Sequence, residues 1–127
     1  MEVSDTVRNF FEISFGVVYL IGAIFNTFYT YRHGEEFFGS FARGTWFSPA
    51  KWFIEKFVLP NPKPFAMMLI LFQLLVAVAL LSQGPNVRLG LLAGTAFCMY
   101  AVFVSNLPGA IANLAMAVLQ FYLASGR

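Results

Sequence analysis

The sequence predicts an all-α integral membrane protein, a four-helix bundle with an amphipathic, aromatic-rich interfacial loop between helices 1 and 2. Three observations carry that expectation. Of the 127 residues, 59% are hydrophobic and only 11% charged, against about 25% charged in soluble domains. The charges are also unevenly placed: none lies between Phe65 and Val87 or between Leu89 and Gly126, so Arg88 stands alone between two long uncharged runs. Finally, four segments reach the roughly 17 to 20 residues that a helix needs to cross ~30 Å of hydrocarbon. They cover residues 13–31, 65–82, 89–105 and 108–124 within a single transmembrane domain, 1–127. At this length only helices satisfy every backbone group inside lipid.

The first span is expected to remain attached. A cleaved leader would need a basic start and a small-residue cleavage site, whereas here Glu2, Asp5 and Glu12 accompany Arg8, and "FYTYRHG" offers no such site.

Residues 32–64 follow, with both tryptophans and many phenylalanines among five basic and three acidic residues. The segment is too apolar for a disordered linker and too charged to span, so it is expected to lie on the membrane. Phe37, Phe38 and Phe41 share a helical face. A second short helix is expected to start with Ser48 as N-cap and Pro49 at its first position. Trp52, Phe53 and Phe57 would then face away from Lys51, Glu55 and Lys56, with Phe47 stapled against Trp52.

The last two spans form a nearly continuous apolar run that as one helix would be roughly 54 Å long, so it must fold back. "SNLPG", residues 105–109, supplies the break, because Pro108 suits the first turn of a following helix. "SQGPNVR", residues 82–88, reads as a turn between spans two and three.

Polar residues inside spans are costly and usually face the protein interior. Asn26, Gln73, Tyr100 and Asn113, one on each span, fall at similar depths of roughly 8 to 12 Å from the membrane face that carries the long loop. Asn26 lies one turn beyond Gly22, Gln73 one turn before Ala77, and Asn113 between Gly109 and Ala117. Gly90 and Gly94 form a G-x-x-x-G continued by Cys98. Such small-residue faces mark helix contacts, so the amides are expected to point inward. They would serve as interhelical hydrogen bonds or as a small polar-ended pocket for the head of a quinone or other isoprenoid lipid. Amides and a phenol are poor acid-base groups near neutral pH, which favours binding over catalysis, and no catalytic residue is assigned.

No metal set is predicted either. His33 with Glu35 and Glu36 lacks the three or four converging ligands that most sites need, and reads as a solvated charge patch. Glu12 is placed at the opposite membrane edge, where solvation is easiest. The lone Cys98 reads as a small buried packing residue. A net charge of +2 is too small and dispersed for a nucleic-acid surface.

With "FGVVYLIGAIFN" in span one, a long loop, then "FAMMLILFQLLVAVALL" and "RLGLLAG", the layout resembles the DoxX-like family of small four-helix bacterial and archaeal membrane proteins, which includes the small subunits of thiosulfate:quinone oxidoreductase. The resemblance covers most of the chain. Family members often carry a lysine shortly after the span-one glycine and an acidic residue early in span two, where this chain has Asn26 and Gln73. A neutral contact between these two amides is therefore expected in place of a charged pair.

The resemblance implies a non-catalytic accessory subunit of a quinone-linked membrane redox complex, or a binder of a lipophilic cofactor. It also implies partners among membrane lipids and other subunits, and an inner (cytoplasmic) membrane with both termini cytoplasmic. Counted literally, the five basic residues of the loop against Arg8, Arg88 and Arg127 would place the loop inside instead. Two further readings stay open: a stand-alone transporter or lipid-binding protein gated by the aromatic loop, and a purely structural assembly subunit.

Overall fold

The computed structural model describes residues 4–127, and among these the regular structure is helical without a strand. Helix α1 spans Asp5–Phe25 and runs on through one π-helical turn, Asn26–Thr30. Helices α2 and α3 follow at Gly34–Gly44 and Ser48–Phe53, the latter extended by a second π turn, Ile54–Val58. Helices α4, α5 and α6 occupy Pro62–Leu81, Val87–Val104 and Leu107–Ser125. Four of these rods, Asp5–Thr30, α4, α5 and α6, are long and apolar enough to cross a membrane, which suggests an integral membrane protein. Their outward faces agree: Phe28, Leu75, Leu89 and Ile111 are all exposed, a surface that water would not tolerate at this density.

The expected spans fall within these four rods to within a few residues, except that α1 begins at Asp5 rather than near residue 13. Ser4 explains the earlier start. Its hydroxyl accepts from the Val7 amide at 3.3 Å, capping the helix, and Asp5 suits the positive end of the helix dipole.

Neighbouring rods are adjacent in the order α1, α4, α5, α6, and α1 meets α6 through long side chains. Phe15, Val76, Leu80, Leu91 and Leu123 fill the centre. Close approach depends on missing side chains: a Cβ at Gly16 would lie 2.8 Å from Leu81 Cγ, and one at Gly90 would lie 2.9 Å from Ala79 Cβ.

Both turns expected between spans are present. Before α5, Gln83 takes the left-handed conformation with φ 52°, and its side chain donates to the Leu80 carbonyl at 2.8 Å, covering an end group that α4 itself cannot bond. Before α6, Asn106 is the N-cap, accepting from Gly109 N at 2.9 Å, and Pro108 occupies the first turn.

Helices α2 and α3 form a small core of their own, Ala42, Ile54 and Val58 against Phe38, Phe41, Phe65 and Val104. The connection between them is tied to the end of α5. Thr45 Oγ1 donates to the Phe103 carbonyl at 2.8 Å, Trp46 Nε1 to that of Val102 at 2.6 Å, and the Trp46 amide to that of Ser105 at 3.2 Å. This corrects two local expectations. Ser48 is already helical, with Phe47 at the cap position and no side-chain cap bond. Phe47 staples nothing on its own helix, because its ring packs on Phe103 and Trp46 at 5.1 and 5.4 Å. These three bonds hold the connection against the last turn of α5.

Candidate functional site

The inward face of α1 repeats every seven residues. Glu12, Tyr19 and Asn26 are buried on one stripe, with Gly16 and Ala23 between them and Thr30 one turn beyond. Seven residues rise ~10 Å, so three polar groups enter the interior at even intervals. Each meets a different partner.

At the loop end, Asn26 and Gln73 are 4% and 9% exposed and make the expected contact, Asn26 Nδ2 donating to Gln73 Oε1 at 2.6 Å. Thr30 Oγ1 donates in turn to Asn26 Oδ1. The π turn that begins at Asn26 brings both side chains to the same side, and π turns of this kind often mark functional positions. Gly22 makes room, since a Cβ there would lie 2.8 Å from Gln73 Nε2. The relay runs Thr30 to Asn26 to Gln73 and stops. Gln73 Nε2 donates to no acceptor among the described residues. Every fully enclosed side-chain polar atom among them has a partner, so this nitrogen retains access to its surroundings.

The central layer is closed. Tyr19 Oη donates to Gln120 Oε1 at 3.0 Å and lies 3.2 Å from the Gly94 carbonyl. Gln120 Nε2 donates to Cys98 Sγ and to the Met116 carbonyl, both at 3.2 Å. Tyr19 and Cys98 are almost completely buried and Gln120 is fully so. The thiol of Cys98 is indeed a small packed group, and it is also an acceptor.

At the far end Glu12 is 0% exposed and forms an ion pair with Arg127, which donates from both Nε and Nη2. Hydrogen bonding to Glu12 holds the Arg127 guanidinium above its ordinary pKa. Arg8 Nη1 donates to the Leu123 carbonyl at 2.8 Å and ties the same ends together. Glu12 therefore does not sit solvated at a membrane edge; its azimuth, not its depth, decides its environment.

Of the four residues singled out from sequence, the fold joins only Asn26 and Gln73. Tyr100 is 61% exposed on the outer face of α5, about 200° around the helix from Cys98 at ~100° per residue. Asn113 is half-buried and donates to the Gly109 carbonyl of its own helix at 2.8 Å. Sequence reasoning passed over Tyr19, Thr30 and Gln120. The seven-residue spacing of Glu12, Tyr19 and Asn26 was the available signal for the first. No group of three metal-capable side chains occurs among the described residues, and His33 is exposed at the start of α2 with its ring 5.1 Å from that of Tyr29.

No protein-family model, curated protein or solved structure matches this chain.

Proposed function

We propose that the chain is a four-helix membrane bundle, DoxX-like in layout, that holds the carbonyl end of a lipophilic molecule such as a quinone at the seam of α1 and α4, and does so as a non-catalytic accessory subunit. The observation that carries this reading is the open N–H of Gln73. An amide donor in hydrocarbon without an acceptor costs several kcal/mol, on the order of 2 to 7, so a partner is strongly favoured. Gln73 is eleven residues into α4, roughly 16 Å from its start. That is beyond reach of lipid ester carbonyls, which stay outside the ~30 Å core, but suits a carbonyl carried on an isoprenoid tail. Asn26 and Thr30 hold the acceptor side of the Gln73 amide, and its donor side lies beside Gly22 at the seam.

None of these groups titrates near neutral pH, so the site can position a carbonyl and polarise it but cannot exchange its protons. The aromatic segment 32–64 is read as an interfacial cover rather than a gate, because of its bonds to the end of α5. A purely structural role is the second reading, favoured by the closed layer of Tyr19, Cys98 and Gln120, which leaves nothing to bind with.

The experiment is native mass spectrometry of gently extracted protein with small-molecule analysis of what co-purifies, on the wild type and on Gln73→Leu. The expected result is a carbonyl-bearing isoprenoid on the wild type that is lost from the folded variant. A wild-type protein carrying only bulk phospholipid would leave the structural reading.

A further inference from the structure

A second polar feature lies outside the interior. Ser48, Lys51, Trp52, Glu55 and Lys56 fall at i, i+3, i+4, i+7 and i+8 along α3 and its π turn, and line a shallow basin of about 340 Å³. The opposite side of the same helix is buried through Ile54 and Val58, so the basin faces away from the protein. Trp52, expected among the aromatic residues of the other face, is instead its wall, with Lys56 Nζ 5.2 Å from the centre of the indole ring.

Two ammonium groups and one carboxylate share this basin, and none is in an ion pair: Glu12 with Arg127 is the one pair among the described residues. On an isolated helix Lys51 and Glu55, four apart, commonly pair with each other. Here they stand open, with a hydroxyl beside them. An apolar track leads away from the basin. Trp52 meets Phe57 at 5.5 Å, Phe57 meets Phe53 at 5.3 Å, and Phe53 meets Phe65 of α4 at 6.3 Å. Phe65 belongs to a helix long and apolar enough to span, so the track joins the basin to hydrocarbon.

We infer that this basin is a headgroup site for a phospholipid that carries both a phosphate and a primary amine, a phosphatidylethanolamine. Lys51, Lys56 and the Ser48 hydroxyl take the phosphodiester, and Glu55 takes the ammonium. The glycerol and acyl chains follow the rings of Trp52, Phe57, Phe53 and Phe65 down to α4. A purely anionic headgroup would satisfy the two lysines and be repelled by Glu55. A choline headgroup has a cation but no N–H to donate to that carboxylate. The inference rests on the membrane reading of the chain and is independent of the Gln73 site.

The test uses the full chain in detergent with equal amounts of dioleoyl phosphatidylethanolamine, phosphatidylglycerol and phosphatidylcholine, read by native mass spectrometry. Resistance of the membrane-bound protein to alkaline carbonate is measured separately. Wild type is expected to retain the ethanolamine lipid over the other two. Glu55→Gln should reverse its preference over phosphatidylglycerol, and Lys51→Gln with Lys56→Gln should lower retention of all three lipids, each of which carries the phosphodiester, by about fivefold per lysine. Equal retention of all three lipids by the wild type, or an unchanged preference in Glu55→Gln, overturns the inference. If carbonate releases the protein, the membrane reading fails with it; if the protein resists carbonate and shows no headgroup preference, only the headgroup site fails.

Discussion

The layer at Tyr19 and the layer at Asn26 use the same ingredients, a carboxamide, a hydroxyl and a glycine beside them, and they end differently. In the central layer Gln120 spends its oxygen on Tyr19 and its nitrogen on Cys98 and Met116, so the network turns back on itself. In the loop-side layer Gln73 has its oxygen filled by Asn26 and its nitrogen left over. The lesson is that burial of a polar side chain does not say whether its hydrogen bonds are complete. What says so is whether the last donor in the chain of bonds has an acceptor.

That contrast can be broken most forcefully at Gly94. A Cβ there would lie 2.7 Å from Tyr19 Oη and also run into the Gln120 side chain, so Gly94→Ala should lower stability in detergent by about 3 kcal/mol, near the upper end for overpacking. A loss below ~1 kcal/mol would mean the layer is looser than its bond lengths imply. Next in size, Gln120→Leu removes the bonds to Tyr19 Oη and Cys98 Sγ while leaving the phenol the Gly94 carbonyl and the thiol, and should lower stability by about 2 kcal/mol, roughly 1 per bond, read by thermal unfolding. Gly22→Ala is the counterpart in the open layer. Its Cβ would meet the far end of the Gln73 side chain, which can swing, so about 1 kcal/mol is expected, together with loss of whatever co-purifies. The smallest effect sharpens the comparison most. A double-mutant cycle of Asn26→Leu and Gln73→Leu should give a coupling of about 0.6 kcal/mol, and strictly additive losses would deny the bond.

Much of this was legible in the chain because hydropathy is a property of each residue and sums along a span without knowledge of its neighbours. The four long helices and both turns between spans emerge that way. Asn26 and Gln73 were legible for a related reason: each is an amide one turn from a small residue, and small residues mark contact faces. Tyr100 and Glu12 were misplaced by one shared shortcut, since position along a span fixes depth but not azimuth. Tyr100 turns outward and Glu12 turns in. Phe47 and Ser48 were misjudged because the competitor for Phe47, Phe103, lies far along the chain, where a local capping rule cannot see it. The π turns at Asn26 and Ile54 have no local signature in composition.

The bonds from Thr45 and Trp46 to the last carbonyls of α5 also bear on the order in which the protein is built. Synthesis runs from the N-terminus, so these donors exist before the helix they complete. When α5 emerges, its final turn meets hydrogen-bonding groups already supplied by an earlier part of the chain. The last carbonyls of α5 thus have their donors in the segment before α4, so the turn that leads into α6 is anchored to residues nearly sixty positions earlier in the chain.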